Sequence, residues 1–322
     1  MKKRTAVYGE VATELALRSD AELRELVERG EPLGEGIGGQ TSKVLLAGTP
    51  VFVKEIRLTD LERRPENTHS TANVFDLPAF CHYGIATPGF GAWRELAVHA
   101  MTTNWVLAGE HDGFPMTYHW RVLPSTRRPL PKELADVEAA VAYWGGSPGM
   151  RRRIEGVRDA TASAVVFMEY IPQNLQNWLR NRLAEADEET TERVCEWIER
   201  ELLDGADFMN DRELLHFDAH FENILTDGHR LYFADYGLAV STRFELSSAE
   251  AEFYERHRTY DRDYIRTHLV RWLERNTGKV PAPVLARHGQ LAEEMGEWHR
   301  ALRTESRETP YPVQSAGRHL TR

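Results

Sequence analysis

The sequence predicts an α+β fold in two lobes, a β-rich N-terminal lobe and a helical C-terminal lobe. Three observations carry that expectation. The strand-like runs Lys43–Ala47, Val51–Ile56, Met116–Leu123 and Ala162–Ile171 all lie in the first part of the chain. Helical spacing dominates from Leu175 onward. Pro172 stops the last strand-like run, which places the junction at Tyr170–Pro172.

Taken in order, Ser19–Gly30 reads as a short amphipathic helix. Ser19 and Glu22 have capping-box spacing, Leu23 and Leu26 mark the apolar face, and Gly30 is the stop. A glycine-rich turn follows. After it, Lys43–Ala47 and Val51–Ile56 read as a hairpin joined at Gly48-Thr49-Pro50. Thr59–Gly91 has little periodicity and reads as an irregular insertion. Trp93–Leu107 returns to helical spacing, and Pro131–Trp144 is helical by composition. The run Arg151-Arg152-Arg153 reads as a solvated surface. Further helices are expected at Leu175–Ala186, Thr190–Asn210, Ser248–Asn276 and Pro283–Arg303. The lobes are then 1–171 and 172–308, with 309–322 as a disordered tail.

Composition narrows the function. The 322 residues are 41% hydrophobic and 28% charged, the balance of a soluble globular chain. Net charge is −10, from 50 acidic and 40 basic residues, which disfavours nucleic acid as a partner. Cys81 and Cys195 are the only cysteines and suggest neither a disulfide framework nor a zinc site. The opening MKKRTAVYGEVATEL lacks the apolar run of a secretory signal. No segment approaches the roughly 20 apolar residues of a membrane span. A cytoplasmic protein that binds no membrane is expected.

Chemistry concentrates in three places. Gly34, Gly36 and Gly39 form G-x-G-x-x-G between strand-like runs, where bare backbone amides can approach a phosphate. A dinucleotide-binding fold would need a helix directly after that loop, and a strand follows instead. Lys54, in Val51-Phe52-Val53-Lys54, places an ammonium on the same hairpin, where it could bridge phosphates. The third place is Leu214–Ala239, where His216, Asp218 and Asn223 form H-x-D-x-x-x-x-N and Asp235 heads D-Y-G. Two apolar runs separated by Asp227-Gly228 read as a hairpin that returns Asp235 beside Asn223. An amide oxygen and a carboxylate there are hard ligands suited to Mg²⁺.

These elements, in this order, resemble the signature of the protein-kinase-like superfamily over roughly residues 19–245. The resemblance implies a bilobal kinase-like fold and a phosphotransferase using ATP and Mg²⁺. Asp218 would be the catalytic base, with Asn223 and Asp235 binding the metal. Lys54 would hold the nucleotide phosphates beneath Gly34, Gly36 and Gly39. Glu95 would pair with Lys54, with Glu62 as the competitor. Phe167–Ile171 would be the hinge read by adenine, involving Met168, Glu169 and Ile171. His216 would support the loop structurally.

The branch rests on departures from the protein-kinase pattern. Phe217 stands where kinases governed by loop phosphorylation carry arginine, and no A-P-E sequence follows Gly237. His220, two residues after Asp218, is similar to the catalytic loop of aminoglycoside and other small-molecule phosphotransferases. A small-molecule hydroxyl acceptor is therefore expected. Glu222-Asn223 and Ala234–Ala239 read more like protein kinases, so a serine/threonine protein or peptide kinase is the alternative, followed by a non-catalytic nucleotide-binding pseudokinase. Glu250, Glu252, Glu255, Asp261 and Asp263 would attract an amine-bearing acceptor, or merely solvate helices beside Arg256, Arg258 and Arg262. Every version requires Lys54 and Asp235 to meet.

Overall fold

A computed structural model describes residues 2–84 and 87–312. Its first-half strands form one antiparallel five-stranded sheet in the order β1-β2-β3-β5-β4. The strands are β1 (Glu31–Gly36), β2 (Gly39–Leu46), β3 (Thr49–Leu58), β4 (Thr117–Pro124) and β5 (Ala162–Glu169). The β2–β3 turn is Ala47-Gly48, with φ of 47° and 82°, so Thr49 and Pro50 already belong to β3. Two left-handed residues give a turn whose twist matches the flanking strands. β1 is exposed along its whole length, whereas β5 is buried at all but its last position.

Alternation along β3 assigns its two faces. Val51 and Val53 enter a core with Val11, Leu15, Leu23 and Val27 from α1 (Lys2–Ala16) and α2 (Asp20–Glu28). Phe52 and Ile56 face the other way, toward Trp93 and Leu96 of α3 (Ala92–Leu107), and Lys54 lies between them on that side. The capping box of α2 forms as its spacing suggests. α1 is absent from the sequence expectations: Val11 and Leu15 are its only buried residues among those described, too sparse a stripe to announce a helix.

The basic run required correction. It lies in α5 (Pro148–Asp159), where helical spacing puts Arg153 on the same buried face as Met150, Ile154 and Val157. Arg153 is 3% exposed, and its Nη1 donates to Glu62 Oε2 at 2.8 Å. α4 covers only Val137–Tyr143, shorter than the Pro131–Trp144 expected.

The helical part holds α6 (Leu175–Leu183), α7 (Glu188–Asp211), α8 (Ser248–Arg256), α9 (Tyr260–Thr277) and α10 (Ala282–Thr304). The single helix expected over Ser248–Asn276 breaks at 257–259, where buried His257 bonds back to the Phe253 carbonyl through Nδ1 (2.6 Å). β6 (Gln173–Asn174), β8 (Ile224–Thr226) and β9 (Leu231–Phe233) form one sheet, and β7 (Leu214–Leu215) pairs with β10 (Val240–Ser241). Of these short strands, β7 to β10 lie between α7 and α8, and β6 precedes α6. A Cβ on Gly205 of α7 would come 2.4 Å from the Phe233 ring, so the helix rests directly on β9.

The chain divides into two units. The first runs to Ile171 and includes Asp235–Ala239 and Phe244–Ser247. The second holds Pro172–Ala234, Val240–Arg243 and the chain from Ser248. Residues 313–322 of the expected tail lie outside the described residues; just before them, Tyr311 is buried and donates to Asp263 Oδ2 at 2.5 Å. Among the described residues, no helix is long and apolar enough to cross a membrane.

Candidate functional site

Lys54 is 5% exposed, on the α3-facing side of β3. Its Nζ lies 2.6 Å from Glu95 Oε1, in the first turn of α3, and 3.0 Å from Asp235 Oδ1. Burial alone would lower its pKa, but the Asp235 and Glu95 carboxylates outweigh that and hold the ammonium above its ordinary value. Glu62 is not the partner. It caps α3 by accepting from the Ala92 amide at 2.8 Å, closes a turn on Thr59, and pairs with Arg153. The spacing of 41 residues between Lys54 and Glu95 follows from the intervening insertion.

The glycine motif separates into distinct roles. Gly39 has φ of 127°, and a Cβ there would lie 2.2 Å from the Glu55 carbonyl oxygen, so only glycine fits. Gly34 and Gly36 carry no such demand: a Cβ would lie 3.7 Å from Thr41 Oγ1 at the first and meet nothing within 4 Å at the second. The residue that approaches the ion pair is Gly38, which pattern matching passes over. A Cβ there would lie 3.3 Å from Lys54 Nζ and 3.5 Å from Asp235 Oδ2. The ribbon therefore crosses directly over the Lys54–Asp235 pair.

The insertion fixes the Asp235 loop. Asp235 has φ of 61°, a costly conformation for a non-glycine residue that persists only when neighbours hold it. His82, buried and stacked on Phe90 at 3.8 Å, donates from Nδ1 to the Leu238 carbonyl at 2.8 Å. Gly89 lies so close to the Gly237 carbonyl that a Cβ would come within 2.8 Å. Farther along, the Glu245 amide donates to Thr71 Oγ1 at 2.9 Å. No sequence pattern announces His82, because the contact spans 156 residues.

The second unit carries Asp218 and Asn223. Asn223 Nδ2 donates to both the Asp218 carbonyl and Asp218 Oδ2, each at 3.0 Å. The Asn223 carbonyl accepts from the Ala234 amide at 3.0 Å, which prolongs the β8–β9 ladder to the residue before Asp235. His216 is fully buried; its Nε2 donates to the Ala234 carbonyl (3.0 Å) and its Nδ1 accepts from the Asp218 amide (3.3 Å). His220 Nε2 stands 3.7 Å from Asp218 Oδ1.

Asp261 reaches this loop from α9 and overturns its sequence reading as a solvating or amine-attracting carboxylate. It is 3% exposed and accepts the His216 amide at 2.6 Å and the Phe217 amide at 2.9 Å. Burial pushes its pKa up to about 6 against the lowering effect of those two bonds. Phe217 itself has φ of 62° and stacks on Tyr260 at 4.6 Å and Phe253 at 5.4 Å. Asp263 and Glu250 are buried as well, leaving only Glu252 and Glu255 of the expected acidic set exposed.

In the expected hinge, Met168 is buried in the core shared by α3 and the sheet. Glu169 is tied on both sides: its amide donates to the Met116 carbonyl (2.8 Å), and its carboxylate takes Arg4 Nη2 at 2.6 Å and Nε at 2.8 Å. Ile171 lies beyond the ladder, half-buried. Among the described residues, no group of three or more His, Cys, Asp or Glu side chains could hold a metal. Taken singly, each expected ligand nonetheless keeps an oxygen of the kind Mg²⁺ takes. Asn223 commits its nitrogen twice to Asp218, which leaves the oxygen as its ligand end, and the Asp235 side chain is 41% exposed despite its ion pair. Comparison with protein-family models and with curated proteins finds no match for the chain.

Proposed function

We propose that this protein is a bilobal, protein-kinase-like phosphotransferase that moves the γ-phosphate of Mg·ATP to a hydroxyl of a small molecule. The observation that carries this reading is Lys54, a buried ammonium held between Glu95 and Asp235 directly beneath Gly38. One carboxylate already neutralises a buried ammonium, so a second converging on it under a bare ribbon asks for a further reason. Phosphate oxygens and a divalent cation provide one. The strand order of the five-stranded sheet, with α3 packed on it, and the predominantly helical second unit support the bilobal assignment.

In this reading Lys54 takes the nucleotide's phosphate oxygens, and Glu95 keeps its amine in place. Asp235 and Asn223 would hold Mg²⁺, which offsets charge on the phosphates when bound. Asp218, oriented by Asn223 Nδ2, accepts the proton of the attacking hydroxyl late in transfer. Phe217 favours the small-molecule branch. Its ring is sealed among aromatic residues, so a phosphorylated loop would find no cation there.

The test is calorimetry with Mg·ATP, followed by mass spectrometry of alcohols, nucleosides and peptides incubated with ATP. Nucleotide binding and phosphate gain by a small alcohol are expected. Absence of Mg·ATP binding would remove the reading, and phosphate on peptides alone would transfer it to the protein-kinase branch.

A further inference from the structure

The acidic set that would have drawn an amine-bearing acceptor is largely spent inside the fold. Asp261 holds the loop backbone, and Asp263 takes the Tyr311 hydroxyl. The surface running away from Asp218 within the second unit carries the opposite sign. Tyr264, His268, Arg271 and Arg275 are spaced i, i+4, i+7 and i+11, one face of α9. Ala292, Gly296, His299 and Arg303 repeat that spacing on α10. The two faces meet: Tyr264 and His299 rings are 6.1 Å apart, and Arg271 Nη2 donates to the Ala292 carbonyl at 3.2 Å. A Cβ on Gly296 would collide with the Arg271 guanidinium, so only glycine lets it lie there.

This face begins at the catalytic loop. His268 Nε2 accepts the Phe221 amide at 3.3 Å, and its ring is 6.4 Å from that of His220, itself 3.7 Å from Asp218. Arg271 and Arg275 follow His268 by about 4.5 and 10 Å of helical rise. Arg300 and Arg303 join them. Among the described residues none of the four arginines forms an ion pair, and Glu274 offsets part of the charge around Arg271. Glu293 and Glu297, both exposed, share the Arg300 side of α10, next to the stripe that ends in Arg303. Burial and then the like charges of Arg275, Arg303 and Arg300 make the Arg271 cation less favourable than usual. Burial and the neighbouring cations also hold His268 at about 3 and His299 at about 4, so both are neutral and add no charge at pH 7. A chain with net charge −10 thus gathers three cations, Arg271, Arg275 and Arg303, on one face leading to Asp218, with the Arg300 charge close enough to act on Arg271.

We propose that the phosphate acceptor is a small hydroxyl compound carrying an oxyanion, a carboxylate or a phosphate ester, held by Arg271 and Arg275 while its hydroxyl meets Asp218. This rests on the phosphotransferase reading and specifies its substrate class. Guanidinium groups suit carboxylate and phosphate oxygens by bidentate bonding, and an anion there relieves the crowding of like charge. The distance along α9 fits a compound of a few carbons, with its hydroxyl at one end and its anion at the other.

The test compares matched acceptors under Mg·ATP: glycerate and glycerol 3-phosphate against glycerol, glucose 6-phosphate against glucose, and kanamycin as the cationic control. The anionic member of each pair is expected to exceed its neutral partner at least tenfold in kcat/KM, with kanamycin inert. In Arg271→Gln and Arg275→Glu that ratio should fall toward one through KM, with circular-dichroism melting checking that each variant folds. Preference for neutral or cationic acceptors, or an unchanged ratio in both variants, overturns the proposal. The glycerate and phosphate-ester arms decide which oxyanion is used. Should no acceptor react, inorganic phosphate and glycerate titrated without nucleotide decide: binding lost in the variants sustains the anion site, and equal or absent binding overturns it. Binding of Mg·ATP, measured separately, tells failure of the kinase reading apart from failure of the anion site.

Discussion

Asp218 and Lys54 occupy different units of the chain, and their removal should do different things. Asp218→Asn keeps a similar shape but cannot accept the hydroxyl proton, so transfer should fall by 10²-fold or more while nucleotide affinity holds. Equal turnover by the variant would reject the base assignment. Asp235→Ala should weaken Mg·nucleotide binding by about tenfold in calorimetry. The glycines offer a sharper contrast. Gly38→Val should reduce nucleotide affinity because its side chain would press on the Lys54 amine, whereas Gly36→Ala, with open space at that Cβ, should bind nucleotide as the native chain does. Asp261 lends itself to a pH test. Its folded pKa, near 6, lies above the usual aspartate value, so its contribution to stability is greatest below about pH 4 and falls as pH rises through 6. Asp261→Asn should therefore cost more at pH 5 than at pH 7, by about 1 kcal/mol in urea unfolding. Lys54, Asp218, Asn223 and Asp235 were legible as residues because polar groups in apolar runs stand out. Asp261 and His82 were not, because the backbone groups they bond lie 44 or more residues away and no local pattern records them.

Helices and strands were most legible where one face is buried and the other is wet. β3, α7 and α10 emerge within two residues of their observed bounds because periodicity reports burial directly, and β5 stands out as one continuous apolar run; β2 begins four residues before the expected Lys43, since Gly39–Ser42 reads as part of the glycine-rich turn. The insertion shows the limit of that signal. Its Phe75, Leu77, Cys81 and Phe90 enter a core with residues of α4 and α5 at no regular spacing, so Thr59–Gly91 looks patternless while performing three tasks. It caps α3 through Glu62, anchors α5 through the Glu62–Arg153 pair, and ties the Asp235 loop through His82. The basic run of α5 misled for a related reason: composition said solvent, and only the helical phase puts Arg153 inside. Breaking a buried pair leaves an uncompensated charge, so Arg153→Ala should destabilise the protein by about 3 kcal/mol. Arg151→Ala, on the exposed side of the same turn, should leave stability close to that of the native chain. Thermal or urea unfolding of the two variants measures the difference, and equal costs would return Arg153 to the surface.

At the scale of the whole chain, neither unit is a continuous piece of sequence. The first takes back Asp235–Ala239 and Phe244–Ser247 after the chain has built the Asp218–Asn223 loop in the second. A fragment ending at Ile171 therefore lacks one of the two counter-charges of Lys54 and the carbonyl that His82 bonds. Such a fragment should melt at a lower temperature than the same unit within the intact chain, and a peptide spanning 234–248 should raise that temperature if it restores those bonds. No shift with the peptide would mean that the loop contributes little to the first unit. Lobe composition and the order of motifs were visible in the sequence, because they follow from strand-rich and helix-rich halves. The re-entry was not, since pairings across 150 or more residues leave no periodic trace.

The tether from the insertion to the Asp235 loop has one more consequence. A loop pinned by the chain's own histidine, threonine and glycine contacts is already set. If the protein transfers phosphate, it should do so from the moment it folds, with no prior phosphorylation of that loop.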